Sequence, residues 1–211
     1  MVLLDSLATH LSLTDSEERR TLSDVSWWQY QTLLNDLGEA SPYRVHYLKG
    51  ILEIVAPSRR HESSKTRIGD LLLIYFLETN TEYFPMGSTT LHEESQQAGG
   101  EPDESYCIVT DKAIPDLAIE VVITRGGINR LELYRRLGVL EVWFWQHNVF
   151  SLYRLRPERL DQLAATYGYE AIAGSELLPA LDIALLTQCV QNPSPLAAAQ
   201  AFRQGIQANH P

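Results

Sequence analysis

Two Pro-Asp pairs, Pro102-Asp103 and Pro115-Asp116, and a glutamate inside an apolar run, Leu117-Ala118-Ile119-Glu120-Val121-Val122-Ile123, are the residues of this 211-residue chain whose types and spacing could do chemistry. A buried carboxylate needs a partner, a proton or a cation. An arginine such as Arg125 or Arg130 could satisfy Glu120 structurally, and structural ion pairs outnumber active sites. The other solution is a divalent-metal site, which requires a second oxygen ligand close by. Asp116 stands four residues from Glu120 on one strand, about 13 Å away at ~3.3 Å per residue, too far to share an ion held at ~2.0–2.6 Å. Asp103 can lie on a neighbouring strand and has no such limit. Asp116 is then left to cap its strand or to pair at the surface.

Holding Asp103 beside Glu120 takes a sheet, and the hydrophobic pattern supplies one. Residues 115–123 read as a central strand buried on both faces, and 102–108 as a second strand. Ahead of them, Ser26 and Gln29 have capping-box spacing, and Tyr30, Leu33, Leu34 and Leu37 predict a helix over 26–37. Residues 43–48 and 51–55 are β-rich runs joined by Lys49-Gly50, a hairpin signal. Ile68, Leu71, Leu72 and Tyr75 predict a long helix over 62–78, followed by a strand at 83–91 and a polar turn through Gly99-Gly100. Ile128, Leu131, Tyr134 and Leu137 make a short helix stripe closing at Gly138. Strands are expected at 139–144 and 149–155 around a turn at 146–148, a weaker one at 165–172, and an Ala-rich helix at 195–207. Residues 1–22 show no sustained periodicity. The expected organisation is a flexible arm over 1–21, one α/β domain over 22–190 and a helical tail over 191–211.

Composition fits one soluble domain, with 45% hydrophobic and 21% charged residues. The start Met1-Val2-Leu3-Leu4 lacks a basic region and is interrupted by Asp5, unlike a signal peptide, and no apolar run is long enough to span a bilayer. Cys107 and Cys189 form neither a disulfide framework nor a zinc pattern, which fits a reducing cytoplasm and no membrane partner. A net charge of -10 argues against a protein that coats DNA through surplus Lys and Arg. It argues less against a metal-dependent nuclease, whose clustered carboxylates are neutralised by the bound cation.

Taken together, Trp27-x-x-Tyr30, Leu52-Glu53-Ile54, Gly87-Ser88-Thr89-Thr90, Glu101-Pro102-Asp103-Glu104, Asp116-Leu117-Ala118-Ile119-Glu120-Val121 and Gly138-Val139-Leu140-Glu141-Val142-Trp143 closely resemble a large bacterial group of restriction-endonuclease-like proteins in the PD-(D/E)XK nuclease superfamily. The likeness covers roughly residues 22–190, and the order and spacing of the motifs carry it. It implies an α/β fold of the α+β mixed-sheet kind: a restriction-endonuclease-like core whose sheet is flanked by helices, with an N-terminal helix plus hairpin. It also implies a metal-dependent endonuclease that hydrolyses phosphodiesters, with DNA as partner. Asp103 and Glu120 would hold Mg2+ or Mn2+, with the Val121 carbonyl as a further ligand. Glu53 would reach the metal directly or through water, its other reading being a surface strand glutamate.

One position departs from the pattern. The lysine of a Glu-X-Lys motif is replaced by Val122, and the resemblance puts the basic residue at Arg130 on the following helix, where many relatives look to carry lysine. Arginine stays protonated, so it can orient water or stabilise charge but cannot act as a general base. Lys65, Arg59 or Arg125 could position the flanking backbone, and His61, beside Arg59 and Arg60, could touch a phosphate or serve as a surface or capping residue. Two rivals stand beside the nuclease: a catalytically inactive module of the same fold that binds nucleic acid or protein, and a hydrolase of some other phosphate ester. Trp143 and Trp145 belong either to a homodimer interface or to the core.

Overall fold

The computed structural model describes residues 17–38, 41–124 and 126–209. Among these the chain forms, in order, β1 (Glu18–Leu22), α1 (Trp27–Leu37), β2 (Arg44–Leu48), β3 (Ile51–Ala56), α2 (Arg59–Glu78), β4 (Tyr83–Pro85), β5 (Leu91–Glu93), β6 (Ala98–Gly100), β7 (Glu104–Ile108), β8 (Leu117–Val122), α3 (Arg130–Leu137), β9 (Glu141–Gln146), β10 (Val149–Leu155), β11 (Tyr169–Ile172), α4 (Ile183–Gln191) and α5 (Pro195–Asn209). The larger sheet has the order β11-β10-β9-β8-β7-β4, with β8 and β9 parallel and the other pairs antiparallel. The smaller sheet, β1-β3-β2-β6-β5, is antiparallel throughout.

Side chains alternate across a strand, and this parity assigns the layers. On β8 and β9, Leu117, Ile119, Val121, Trp143 and Trp145 pack against Ile68, Leu71, Leu72 and Phe76 of α2 and Phe202 of α5. The opposite parity, Ala118 and Val142, packs on Leu133, Tyr134 and Leu137 of α3 together with Leu48 and Ala98 of the smaller sheet. Glu120 shares this second parity and so faces the space between the two sheets. The outer face of the smaller sheet buries Val45, Tyr47, Leu52 and Ile54 under Trp27, Tyr30 and Leu33 of α1. Its inner face therefore carries Arg44 and His46 on β2 and Glu53 and Val55 on β3.

The expected helix at 26–37 is present, with both halves of the Ser26–Gln29 capping box formed. Lys49 and Gly50 both have positive φ, the conformation that a two-residue hairpin turn demands. The long helix starts earlier than its apolar stripe, because Ser58 caps it by accepting a hydrogen bond from His61 N at 3.2 Å. The run expected as one strand over 83–91 divides into β4 and β5, which lie in different sheets. Gly99-Gly100, read from sequence as a turn, lies in β6, paired with both β2 and β5. A Cβ on Gly99 would stand 2.3 Å from the Tyr30 hydroxyl oxygen, so glycine is there to admit a ring, not to turn the chain.

Further departures involve the ends and the tryptophans. The final residues of the expected arm are β1, paired in register with β3 from Glu18↔Ala56 to Leu22↔Leu52, while residues 1–16 lie outside the described residues. The tail docks: Ala198, Phe202 and Ile206 of α5 are buried in the main core beside α4, a helix without a sequence-based expectation. Trp143 and Trp145 belong to that same core and offer no surface for a dimer.

Glu141, at the start of β9, is fully buried and fully used. It accepts hydrogen bonds from Trp143 Nε1 (3.1 Å), Ser175 Oγ (2.8 Å) and the backbone N–H groups of Glu176 (2.8 Å) and Leu177 (3.0 Å). Arg154 Nη1 lies 3.5 Å away. One carboxylate thus pins the loop before α4 onto the sheet. Glu141→Ala strands these donors and should destabilise the fold by ~3–5 kcal/mol in denaturant unfolding. A loss under about 1 kcal/mol would show that the loop finds other partners.

Candidate active site

Antiparallel register decides the centre of the site. Glu104 pairs with Ile119 and Asp103 N donates to Ile119 O at 3.1 Å, so Asp103, one residue ahead of β7, stands opposite Glu120 on β8. Both residues are buried and both line a cavity of about 460 Å³ between the sheets. Arg19, Arg44, His46 and Val55 of the smaller sheet form the facing wall, and Ile128, Asn129 and Arg130, where α3 begins, close one side.

Asp103 is fixed by two donors: Val121 N, 2.7 Å from Oδ2, and His61 Nε2, 2.8 Å from Oδ1. The other ring nitrogen of His61, Nδ1, lies 2.8 Å from Glu17 Oε2. Burial alone would lower the His61 pKa, but the hydrogen bonds and charges of Asp103 and Glu17 outweigh it and raise the pKa to about 10. His61 is therefore an imidazolium at neutral pH, donating to a carboxylate on each side. Glu17 is held in turn by Thr124, through backbone N–H (3.3 Å) and hydroxyl, and its pKa is lowered because these bonds and His61 overcome the effect of burial.

Glu120 accepts a hydrogen bond from the Tyr134 hydroxyl and lies 3.3 Å from Arg130 Nε. Burial raises its pKa more than Arg130 lowers it, and the charge of Asp103 adds to the rise, leaving Glu120 at about 7. Tyr134 sits one turn after Arg130 on α3, so one helix face delivers both donors. Arg130 itself, next to the N-cap Asn129, spans the two sheets, with Nη2 2.5 Å from Glu53 Oε1.

Glu53 is not a surface residue: it is fully buried behind the cavity wall. Besides Arg130, it accepts from Ile128 N at 2.9 Å and Arg19 Nη1 at 3.2 Å. Gly127 covers this carboxylate so closely that an added Cβ would fall 1.4 Å from Glu53 Oε2, and its φ of +89° also favours glycine. Glu53 thus ties Arg19, Arg130 and the turn before α3 into one unit.

Of the residues expected from sequence, Asp103, Glu120, Val121 and Arg130 line the cavity, with Glu53 just behind them. Asp116 lies elsewhere, its carboxylate accepting from Ile108 N at 2.8 Å and pairing with Lys112 Nζ at 2.7 Å. Arg59 is exposed, Lys65 approaches Glu62 at 3.8 Å, and Arg125 falls outside the described residues. Glu17, Arg19, Arg44, His46 and Tyr134 were not anticipated, and His61 joins the site as a bridge between carboxylates. A usable signal existed in Glu17-Glu18-Arg19-Arg20-Thr21-Leu22, where Glu17, Arg19 and Thr21 would share one face of a strand.

The state of His61 makes stability depend on pH with a defined sign. Its folded pKa lies above its ordinary value of 6.5, so its contribution is complete below about 6.5 and is lost as pH rises through about 10. The difference in unfolding midpoint between wild type and His61→Gln should therefore narrow steadily across that window. A gap that stays constant with pH would mean that the buried ring is neutral.

Among the described residues, no helix is long and apolar enough to cross a membrane, and no group of three or more His, Cys, Asp or Glu side chains is arranged to hold a metal ion. Curated proteins gave no match to the chain. A family model, Uma2, described as "Putative restriction endonuclease", matches residues 27–186. That segment holds the smaller sheet apart from β1, the whole larger sheet, α3 and both central carboxylates. With a mixed sheet flanked by helices and the family match spanning most of its length, the chain belongs to the Uma2 family of restriction-endonuclease-like proteins.

Proposed function

We propose that the protein is a metal-dependent endonuclease that hydrolyses phosphodiester bonds in nucleic acid, with DNA as the substrate that the family description favours. The observation that carries this reading is the register of β7 on β8, which sets Asp103 opposite Glu120 at the wall of a cavity that also contains arginines. The donor chemistry suits magnesium or manganese, since both groups are hard oxygen ligands.

Asp103 and Glu120 would hold the ion, with the Val121 carbonyl as a further oxygen. When bound, the ion would polarise a phosphoryl oxygen and lower the pKa of a coordinated water. The chain's own residues divide the remaining tasks. Val121 N and His61 fix the orientation of Asp103, and Tyr134 fixes that of Glu120. Arg130, permanently charged, stabilises negative charge that grows on the phosphate. His61, protonated at neutral pH, is a donor like Arg130, so neither removes a proton from water. Glu53 acts through Arg130 as a positioning residue.

A second reading has its own support. Arg130 replaces the expected lysine, and both central carboxylates are already paired, with His61 and Arg130 respectively. A nuclease fold in that condition can bind nucleic acid or protein without turnover. Nicking of supercoiled plasmid with magnesium, manganese or chelator, run beside a gel shift of the same plasmid, separates the two. Cation-dependent nicking supports the endonuclease; a shift without nicking supports the binding module.

Asp103→Asn and Glu120→Gln, which keep shape and remove charge, should each lower cleavage by at least about 100-fold. Asp116→Asn should reduce stability and leave nicking per folded molecule near wild type. Nicking that survives both of the first two substitutions would remove these carboxylates from the reaction.

Arg130→Ala leaves two buried carboxylates short of a cation and should cost ~3–5 kcal/mol of stability together with activity. Arg130→Lys keeps the charge but cannot fork between Glu53 and Glu120, so it should retain part of both. Measuring nicking and unfolding on one preparation checks this, and full activity in a folded Arg130→Ala protein would exclude a role in catalysis.

A further inference from the structure

The cations around the cavity differ in how far they are already occupied. Arg19 is spread over Glu53, Glu17 and the carbonyl groups of Gly126 and Thr124. Arg130 is divided between Glu53 and Glu120. Arg44 is less engaged: among the described residues its one ion-pair contact is Nη2 to Glu62 Oε1 at 3.7 Å, beyond hydrogen-bond range, and that glutamate side chain is 44% exposed. The nearby Glu101 carboxylate accepts from Thr90 Oγ1 at 3.0 Å and Val45 N at 3.3 Å and feels the Arg44 charge without a hydrogen bond from it. Yet the Arg44 side chain is only 15% exposed, and its Nε is buried with no hydrogen-bond partner among the described residues. Arg19 Nε and Arg130 Nη1, on the same cavity, are also buried and unpartnered.

Buried N–H groups without partners are rare in folded proteins and point to a missing ligand. These three belong to guanidinium groups, so the ligand they call for is an oxyanion. Register supports a common target: Val55 pairs with Arg19 on one side and Arg44 on the other, placing the two arginines in one row across the inner face. His46 stands on that face beside them, and burial together with the charges of Arg130, Arg19 and Arg44 keeps its pKa well below 6.5. The imidazole is thus neutral and leaves the positive charge to the arginines.

We infer that Arg44, with the free N–H groups of Arg19 and Arg130, forms a phosphate-binding subsite that grips a nucleic-acid backbone phosphate independently of any metal. The inference deepens the nuclease reading by naming how the strand is held, and rests on it for the identity of the strand. Arg44 is a binding residue on the smaller sheet, facing the carboxylates of the larger one.

Anisotropy of a dye-labelled oligonucleotide, single- and double-stranded, measured in chelator, tests this without any cleavage. Arg44→Ala should weaken binding about 10- to 100-fold and lower the slope of log affinity against log salt by about 0.7 to 0.9. Arg44→Lys should fall between. Arg203→Ala removes an equal charge from a half-exposed position on α5, where Arg203 pairs with Glu78, and should change neither quantity. Competition by inorganic phosphate and by a mononucleotide identifies the source of the oxyanion: a strand phosphate requires the oligonucleotide to bind far more tightly than either. Equal effects of Arg44→Ala and Arg203→Ala, or wild-type binding no tighter than inorganic phosphate, overturn the inference. Circular dichroism on each variant confirms folding, and Arg44→Lys decides the matter if Arg44→Ala does not fold. A protein that nicks plasmid but is indifferent to Arg44 keeps the nuclease reading and loses the subsite; one that binds through Arg44 but never nicks does the reverse.

Discussion

Carboxylates withdrawn from water must be compensated, and the space between the two sheets is arranged around that requirement. Glu17, Glu53, Asp103 and Glu120 bring four negative charges there; Arg19, His61 and Arg130 bring three positive ones in direct contact with them. Burial still raises the pKa of Glu120 more than Arg130 lowers it, and the charge of Asp103 adds to the rise. The same contacts join parts distant in sequence: Arg130 bridges β3 to β8, and His61 bridges the residue before β1 to the residue before β7.

The two sheets contribute differently to this arrangement. The larger one, sealed by α2, α4 and α5 on one side, is a rigid platform whose register sets the two central acids. The smaller one spends its outer face on the aromatic cluster under α1 and presents a charged inner face. Strand parity alone makes one sheet serve both ends, with Val45, Tyr47, Leu52 and Ile54 turned outward and Arg44, His46, Glu53 and Val55 inward.

Much of this could be read from the sequence where local rules govern. The Ser26 cap, the Lys49-Gly50 turn, the apolar β8 run and the α3 stripe each carry their signal within a few residues. Distance set Asp116 aside, since a strand cannot fold it back onto Glu120, and the family resemblance pointed to Asp103 as the partner. What escaped depends on contacts between remote segments. β1 is a strand because β3 offers it an edge; Gly99 is a strand residue because Tyr30 lies over it; His61 is charged because Glu17 and Asp103, far apart in sequence, flank it. Glu53 reads from sequence either as a metal-site residue or as a surface glutamate, and its two arginine partners are hidden because neither Arg19 nor Arg130 is near it in the chain.

Strand β1 lies ahead of residue 27, where the family match begins, yet with Glu17 it supplies part of the cavity wall. The stretch that marks family membership and the stretch that completes the cavity are thus not the same. Exchanging this one edge strand would rewrite the charge of a wall and would reach the two central acids through His61 and through Glu53 and Arg130. Chains with matching cores could accordingly diverge in what they hold, and a fragment cut to the family boundaries would lose Glu17 and Arg19 from the cavity and α5 from the core.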